Sequence, residues 1–226
     1  MTHILDRPAW NALHTIHADL AEGSALALRY PASIVPFAAA ADNRLESLEA
    51  LAALPASGET MALVEAGPIA TAPGLDVLLD SQLIQMTTDR PHAPIADPRI
   101  QPLGTDDAEE MLALALLTKP GPFTLGAQKL GTFWGVKVDG RLVAMAGQRM
   151  RVSGYAELSG LCTHPEFQGR GFGKLLFRYV AGEIAARDET AFLHAFASNT
   201  HAVALYQSLG FSIRTMMNLL IVKRPA

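Results

Sequence analysis

Cysteine and clustered positive charge are both scarce in this chain. Cys162 is the only cysteine among 226 residues, which excludes an internal disulfide and a cysteine-rich metal site. Lys and Arg number 18 against 22 Asp and Glu, giving a net charge of -4. Nucleic acids and anionic membranes are bound by clustered Lys and Arg, so we expect neither as a partner. A single cysteine also fits a reducing compartment.

Long apolar runs are missing as well. No uninterrupted stretch approaches the ~20 residues that span a bilayer, and the first residues, MTHILDRPAW, lack the pattern of a secretory signal. Hydrophobic residues still make up 50% of the chain and charged residues 18%, which favours a folded core over disorder. We therefore expect a soluble, cytoplasmic protein, as a monomer or homodimer.

A proline-rich segment divides the sequence into two parts. Three of the residues 91–98 are prolines, which oppose both helix and central strand, so we interpret this segment as a linker. Residues 1–90 then form a smaller α+β domain. Its apolar spacing predicts helices at 8–22 and 43–54 and short strands at 60–65, 75–79 and 83–87.

Residues 99–226 predict an α/β unit with an antiparallel meander followed by a strand-helix-strand segment. Asp139-Gly140 is a strong two-residue hairpin signal between neighbouring apolar runs. The predicted strands are 99–103, 132–138, 141–152, 155–163, 190–197 and a pair within 211–223. The predicted helices cover about 106–117, 171–187 and 200–208.

The most informative stretch is a glycine-rich turn between a strand and a helix. Glycines at 169, 171 and 173 let the backbone approach a ligand closely. The helix start offers free N–H groups and partial positive charge to a phosphate, and Arg170 and Lys174 add charge nearby. A P-loop is excluded because the stretch has no Gly-Lys-Ser/Thr, and the dinucleotide fingerprint is excluded because its glycines are spaced differently. A tight turn before a helix, with no ligand, is the alternative interpretation.

Residues Gln168–Gly173 match every fixed position of the Gln/Arg-x-x-Gly-x-Gly/Ala signature, so the sequence resembles the GNAT superfamily of N-acetyltransferases. Asn199, Ala202, Leu205-Tyr206 and Leu209-Gly210-Phe211 resemble a second family segment at the expected distance. The resemblance covers about residues 98–226 and is nearest to glycine-N-acyltransferase-like C-terminal domains. It implies a mixed sheet splayed between two strands, with acetyl-CoA in the gap and no metal. One interpretation of residues 1–90 is a degenerate GNAT-like unit.

The resemblance also implies which residues contact acetyl-CoA. Backbone groups at the strand end would bind the thioester carbonyl and pantetheine, and the glycine-rich loop would bind the pyrophosphate. Asn199 is included among the contacts, with helix capping as its alternative role. The implied cofactor-binding residues are Leu161, Cys162, Thr163, Gln168, Gly169, Arg170, Gly171, Phe172, Gly173, Lys174 and Asn199.

Two residues are the candidate catalytic groups. Tyr206 matches the tyrosine that protonates the CoA thiolate in this family, and a phenol with a pKa near ~10 is able to donate at neutral pH; its alternative role is a core aromatic. Glu157, within an apolar strand, is the candidate general base, with an exposed strand face as the alternative. His164 is a second candidate base or a turn cap. The Cys162 side chain is interpreted as core filler.

The predicted function is direct transfer of acetyl to a primary amine of a small molecule or peptide. A catalytically inert acyl-CoA sensor and a scaffold protein are the alternatives. Arg149 and Arg151 are candidates to bind a substrate carboxylate, although a solvated strand edge explains them equally well. The acceptor amine is not predicted, because substrate choice in such folds is set by variable loops.

Overall fold

A computed structural model describes residues 2–88 and 90–226, which contain eleven β-strands and five α-helices. The strands are β1 (Glu22–Gly23), β2 (Ala27–Arg29), β3 (Ala38–Ala40), β4 (Thr60–Glu65), β5 (Asp76–Thr88), β6 (Ile100–Leu103), β7 (Phe133–Val138), β8 (Arg141–Val152), β9 (Tyr155–Thr163), β10 (Thr190–Phe196) and β11 (Phe211–Lys223). The helices are α1 (Pro8–Leu13), α2 (Leu45–Ala53), α3 (Ala108–Thr118), α4 (Phe172–Ala185) and α5 (Thr200–Ser208). None of these helices is long and apolar enough to cross a membrane.

Eight strands form one mixed sheet in the order β4-β11-β5-β10-β9-β8-β7-β6. Strands β9 and β10 run parallel, with α4 as the crossover between them, and the other neighbouring pairs are antiparallel. Strands β1, β2 and β3 form a separate small antiparallel sheet. The predicted α/β (α+β) class with a mixed sheet is confirmed.

Strands β5 and β11 are both longer than predicted. The pair of strands expected at 211–223 is the single strand β11, because these residues contain no glycine or proline at which a hairpin would reverse. The two strands expected at 75–79 and 83–87 are likewise one strand. The residues between them, Asp80 to Gln82, stay extended because they pair with β11.

The two halves of the sequence share this sheet. Strand β5 comes from the first half, yet it lies between β10 and β11 and pairs with both. The segment 91–98 connects β5 to β6, and it packs against α4: a Cβ on Gly182 would lie 3.1 Å from Ala93 O and from Pro94 Cα. The predicted division into units 1–90 and 99–226 stays a prediction, and both stretches contribute strands to one sheet.

The sheet buries a different layer on each face. One face packs against α4, where the side chains of Leu176 and Phe177 are fully buried. The other face is covered by the amino-terminal segment, whose Leu5 and Tyr30 are also fully buried. Burying a side chain of this size stabilises the fold by roughly 1.5–3 kcal/mol. The amino-terminal segment is therefore part of the main core.

A buried carboxylate lies beneath that amino-terminal segment. Glu157 on β9 is completely buried and forms a two-point ion pair with Arg149 on β8, with Nε–Oε2 at 2.9 Å and Nη2–Oε1 at 2.6 Å. The backbone N–H of Met150 donates to Oε2 at 3.2 Å, and His194 Nδ1 donates to Oε1 at 2.8 Å. The guanidinium of Arg149 also lies 4.7 Å from the centroid of the Phe37 ring.

The polar contacts continue from His194 across the sheet. Gln85 on β5 is fully buried; its Nε2 lies 2.9 Å from His194 Nε2 and donates to the carbonyl of Leu5 at 3.0 Å. Its Oε1 accepts a short hydrogen bond from Arg214, which also bonds Asp6 at 2.8 Å. A shift of register between residues 213 and 215 makes Arg214 the extra residue of a bulge in β11. One network of polar side-chain contacts thereby joins five strands and the first residues of the protein.

We expect a fragment of residues 99–226 not to fold by itself. Strand β11 pairs only with β4 and β5 in the described chain, and both would be lost. Far-UV circular dichroism and size-exclusion chromatography should show an unfolded or aggregated fragment. Co-expression with residues 1–98 as a separate chain should restore a soluble complex. A folded, monomeric 99–226 fragment would support the original division into two units.

Replacing Glu157 with Gln should lower the free energy of unfolding by roughly 3–5 kcal/mol, because it leaves the Arg149 charge uncompensated in the core. Urea unfolding followed by fluorescence measures the change. Glu110→Gln is the matched control: its ion pair with Lys137 is half-exposed, so a change below about 0.5 kcal/mol is expected. Equal effects of the two substitutions would mean that the buried ion pair contributes no special stability.

The stability difference between wild type and Glu157→Gln should depend on pH. Burial alone raises the pKa of Glu157, but the charge and hydrogen bonds of Arg149, with the bond from His194, outweigh it and hold the pKa below its ordinary value of 4.5. The stabilisation is therefore complete above the unfolded-state pKa and is lost as the pH falls below it. The stability difference between wild type and Glu157→Gln should shrink below about pH 4.5.

Candidate functional site

Strands β9 and β10 separate partway along their length. They pair only where Tyr155, Ala156 and Glu157 face residues 190–192, after which β10 continues along β5. Residues 158–163 of β9 have no strand partner on that side within the described residues. Backbone N–H and C=O groups require partners, and an open strand edge can pair with an extended ligand. The predicted splay of the sheet is present here.

A β-bulge interrupts β9 beside this gap. The register between β8 and β9 shifts between the pairs Met145–Cys162 and Gly147–Ser159, and Gly160 lies in the shift with φ of 65°. A Cβ at Gly160 would lie 2.8 Å from Cε1 of Phe133, so a side chain is excluded by both backbone and space. A bulge takes backbone groups out of the ladder and leaves them available to a ligand.

The glycine-rich loop lies at the end of β9, where it starts α4. Gly169 and Gly171 have φ of 75° and 79°, and a Cβ on either would meet no atom within 4 Å. The first backbone bond of α4 runs from Leu175 N to Gly171 O, so the N–H groups of residues 172–174 have no helical partner. Together with the positive end of the helix dipole, they suit an anionic ligand.

The loop and the end of β9 are in contact. Gln168 Nε2 lies 3.5 Å from the Thr163 carbonyl, and Thr163 Oγ1 lies 3.5 Å from the position of a Cβ on Gly173. Arg170 is exposed and its guanidinium lies 4.6 Å from the Phe167 ring centroid. Leu161 is half-buried and Lys174 is exposed on the same elements, and Phe172 is buried against the core.

The side chain of Cys162 points away from this chemistry. It packs with Met111 and Leu114 of α3, and burial raises its pKa to about 11. A thiol in this state is protonated at neutral pH and is a poor nucleophile. Its side chain fits the interpretation as core filler, while its backbone stays a candidate contact.

The other two predicted site residues lie just before and within helix α5. Asn199 is exposed, and its Oδ1 accepts from Ala202 N at 3.1 Å, which is the capping role considered as its alternative. The Tyr206 ring stacks on Phe177 of α4, with ring centroids 5.4 Å apart and an interplanar angle of 19°. Burial raises the pKa of the Tyr206 phenol, so it remains protonated at neutral pH. Contact of either residue with acetyl-CoA stays a prediction.

The geometry opposes the role of general base predicted for Glu157. Its two oxygens accept four donors, which uses the lone pairs that a carboxylate offers. Its lowered pKa makes it a weak proton acceptor, and it is buried rather than on an exposed face. Arg149 is committed to the same ion pair, so it is not free to bind a substrate carboxylate.

His164, the second candidate base, acts as a turn cap. Its Nδ1 lies 3.3 Å from Glu166 N, and its Nε2 lies 2.6 Å from Arg141 Nη2.

Sequence reasoning missed His194 and Gln85, which complete the surroundings of Glu157. Their signal was the presence of polar residues within apolar strands, but only the strand pairing shows that they meet.

Within residues 2–88 and 90–226, no group of three or more His, Cys, Asp or Glu side chains is arranged to hold a metal ion.

Known proteins resemble the chain over two different lengths. A family model described as FR47-like protein matches residues 135–219. A [ribosomal protein bS18]-alanine N-acetyltransferase of Salmonella typhimurium is 38% identical over 79 residues, which cover 34% of this chain and 53% of that protein. The chain thus spans about half the length of the curated relatives that it matches.

Solved structures extend the similarity to the whole chain. One from Kribbella flavida, a GCN5-related N-acetyltransferase, has a TM-score of 0.65 with 16% identity over 97% of this chain and 96% of that one, which shows the fold alone. One from Novosphingobium aromaticivorans, assigned to the GNAT family of acetyltransferases, is 42% identical over 100% of both chains, with a TM-score of 0.93. Because this likeness covers both sequence and fold from end to end, the chain belongs to the GNAT family.

Proposed function

We propose that the protein is an N-acetyltransferase that moves an acetyl group directly from acetyl-CoA to a primary amine. The observation that carries this proposal is the separation of β9 and β10 beside the free N–H groups that start α4. An extended ligand with an anionic group at one end fits that arrangement. Family membership and the N-acetyltransferase named among the curated relatives support it further.

Acetyl-CoA supplies an acetyl group activated as a thioester. The N–H groups of residues 172–174 would hold its pyrophosphate, with Arg170 and Lys174 adding positive charge. Residues 158–163 of β9 would pair with the pantetheine arm. Backbone N–H groups at Leu161–Thr163, next to the bulge at Gly160, would stabilise the carbonyl oxygen as negative charge develops on it.

Tyr206 is the proton donor in this proposal. Its ring is fixed by stacking on Phe177, and its raised pKa keeps the hydroxyl protonated. The leaving sulfur accumulates negative charge when the C–S bond breaks, and a proton from Tyr206 Oη neutralises it. An inert acyl-CoA sensor, the second predicted function, would not need this group.

No side chain described above is a suitable base for the acceptor amine. Glu157 is saturated with donors, and His164 is held as a turn cap. We therefore assign the amine proton to solvent. The Arg149–Glu157 pair acts on the reaction only by fixing β8 against β9, where the acetyl group would bind.

The acceptor amine is not inherited from the relatives. The Salmonella enzyme is named for an alanine of ribosomal protein bS18, but the matched segment is about half of that protein. In this chain the amino-terminal segment covers the face of the sheet opposite α4. A peptide or small-molecule amine remains the proposed class, and a panel of both with acetyl-CoA tests it.

Gly171→Asp should weaken CoA binding by about tenfold or more, which equals ~1.4 kcal/mol or more. It places a negative charge where the pyrophosphate would bind, and the control variant carries the same backbone strain of a side chain at positive φ. Gly154→Asp is the matched control, since Gly154 has φ of 78° and open space in the β8–β9 hairpin. Isothermal titration calorimetry with CoA measures both. Equal affinities in the two variants would remove the loop from the CoA site.

Tyr206→Phe should reduce turnover by ~10²–10⁴-fold with little change in CoA affinity. The ring stays in place, so only proton donation is lost. Single-turnover acetyl transfer measured by rapid quench isolates the chemical step. Tyr179→Phe on α4, where the ring packs against Trp134, controls for the loss of a hydroxyl elsewhere. Unchanged single-turnover rates in Tyr206→Phe would leave this tyrosine with a packing role.

A further inference from the structure

One cavity of the described chain lies away from the gap between β9 and β10. It has a volume of about 580 Å³ and forms where the last residues of β8 extend beyond the start of β7. Its apolar wall consists of Ile16, Leu20, Leu103, Leu130 and Phe133. No residue of the glycine-rich loop, β9 or α5 lines it.

An unpartnered amide group lines this cavity. Gln148 is only 6% exposed, and its Nε2 has no hydrogen-bond partner among residues 2–88 and 90–226. Its Oε1 accepts from Arg187 Nη2 at 2.8 Å. This contact fixes the orientation of the amide, because a flipped amide would place its NH₂ group against the N–H of Arg187. Buried donors are almost always satisfied, so this one points to an acceptor that the chain does not supply.

Positively charged side chains line the same cavity. Arg151 and Arg187 line the cavity, and both are held by Glu189, through Nε–Oε1 at 2.6 Å and Nε–Oε2 at 3.2 Å. Lys129 and Asp19 also line the cavity, and Lys129 is exposed. Three cations against two carboxylates leave one net positive charge around the cavity.

We propose that this cavity binds a small organic carboxylate with an apolar body. One carboxylate oxygen accepts from Gln148 Nε2, the unused N–H groups of Arg151 and Arg187 and the Lys129 ammonium balance its charge, and the apolar wall covers the rest. A carboxylate is favoured over inorganic phosphate because one buried donor and a single net positive charge do not match the two negative charges of a phosphate dianion.

The site is distinct from the CoA site proposed above. Helix α4 has 14 residues and therefore a length of roughly 21 Å, with the glycine-rich loop at its start and Arg187 just beyond its end. Phe133 lines the cavity, and its ring also lies against Gly147 and against Gly160 at the bulge of β9. Carboxylate and CoA should therefore bind at the same time.

Calorimetric titration of the full-length protein with 3-phenylpropionate and with octanoate tests the proposal. At least one of them should bind, with 3-phenylpropanamide and inorganic phosphate at least about tenfold weaker. Saturating CoA should not displace the carboxylate. Absence of binding by both carboxylates up to about 10 mM, equal binding of the amide or of phosphate, or displacement by CoA would each overturn the proposal.

Two substitutions separate this site from nonspecific binding. Gln148→Glu keeps an acceptor for Arg187 but removes the donor and adds a negative charge, so affinity should fall at least about tenfold. Gln101→Glu, on exposed β6, is the matched control and should change nothing. Because a buried Glu can impair folding, Lys129→Gln on the exposed wall is the second variant, expected to weaken binding several-fold. Unchanged carboxylate affinity in folded Gln148→Glu or in Lys129→Gln would exclude the site.

Discussion

The buried carboxylate of Glu157 sets the conditions for much of this structure. A charge taken out of water must be matched by an opposite charge and by donors, and here both come from neighbouring strands. Arg149 fixes β8 against β9, and His194 fixes β10 in parallel alignment beside it. From His194 the contacts pass through Gln85 to the carbonyl of Leu5. The amino-terminal segment is thus attached to the sheet by specific bonds as well as by apolar packing.

The position of this carboxylate coincides with the point where two strands part. Glu157 is the last residue of β9 that pairs with β10. Up to Glu157, β9 pairs with β10, and the network of polar contacts crosses the sheet there. Beyond Glu157, β9 continues with an unpaired edge. The fold therefore combines a rigid, charge-matched region with an adjacent opening that can accept an extended ligand. In this interpretation Glu157 shapes the cleft without taking part in proton transfer.

Local features of the site could be predicted from the sequence, and long-range ones could not. The glycine-rich loop, α4 and the placement of Tyr206 on α5 follow from spacing and helix signals within a few residues of each other. The insertion of β5 between β10 and β11 depends on pairing between residues far apart in the chain, for which periodicity gives no register. The same holds for Glu157: its apolar neighbours suggested a functional carboxylate, but Arg149, His194 and Gln85 meet it only through strand pairing. Gly160 carried a readable signal, a glycine inside a strand, that indicates a bulge.

The inserted strand has a consequence for how the protein is made. Strand β5 ends at Thr88, whereas β11 begins at Phe211, so the strand that pairs with most of β5 leaves the ribosome only after residues 89–210 have been made. At roughly 5–20 residues per second, this delay is on the order of ten seconds. During that time Val77, Leu78 and Leu79 stand on an unpaired strand, the kind of segment that aggregates or recruits chaperones. The sheet therefore cannot be completed until β11 has been synthesised, long after β5.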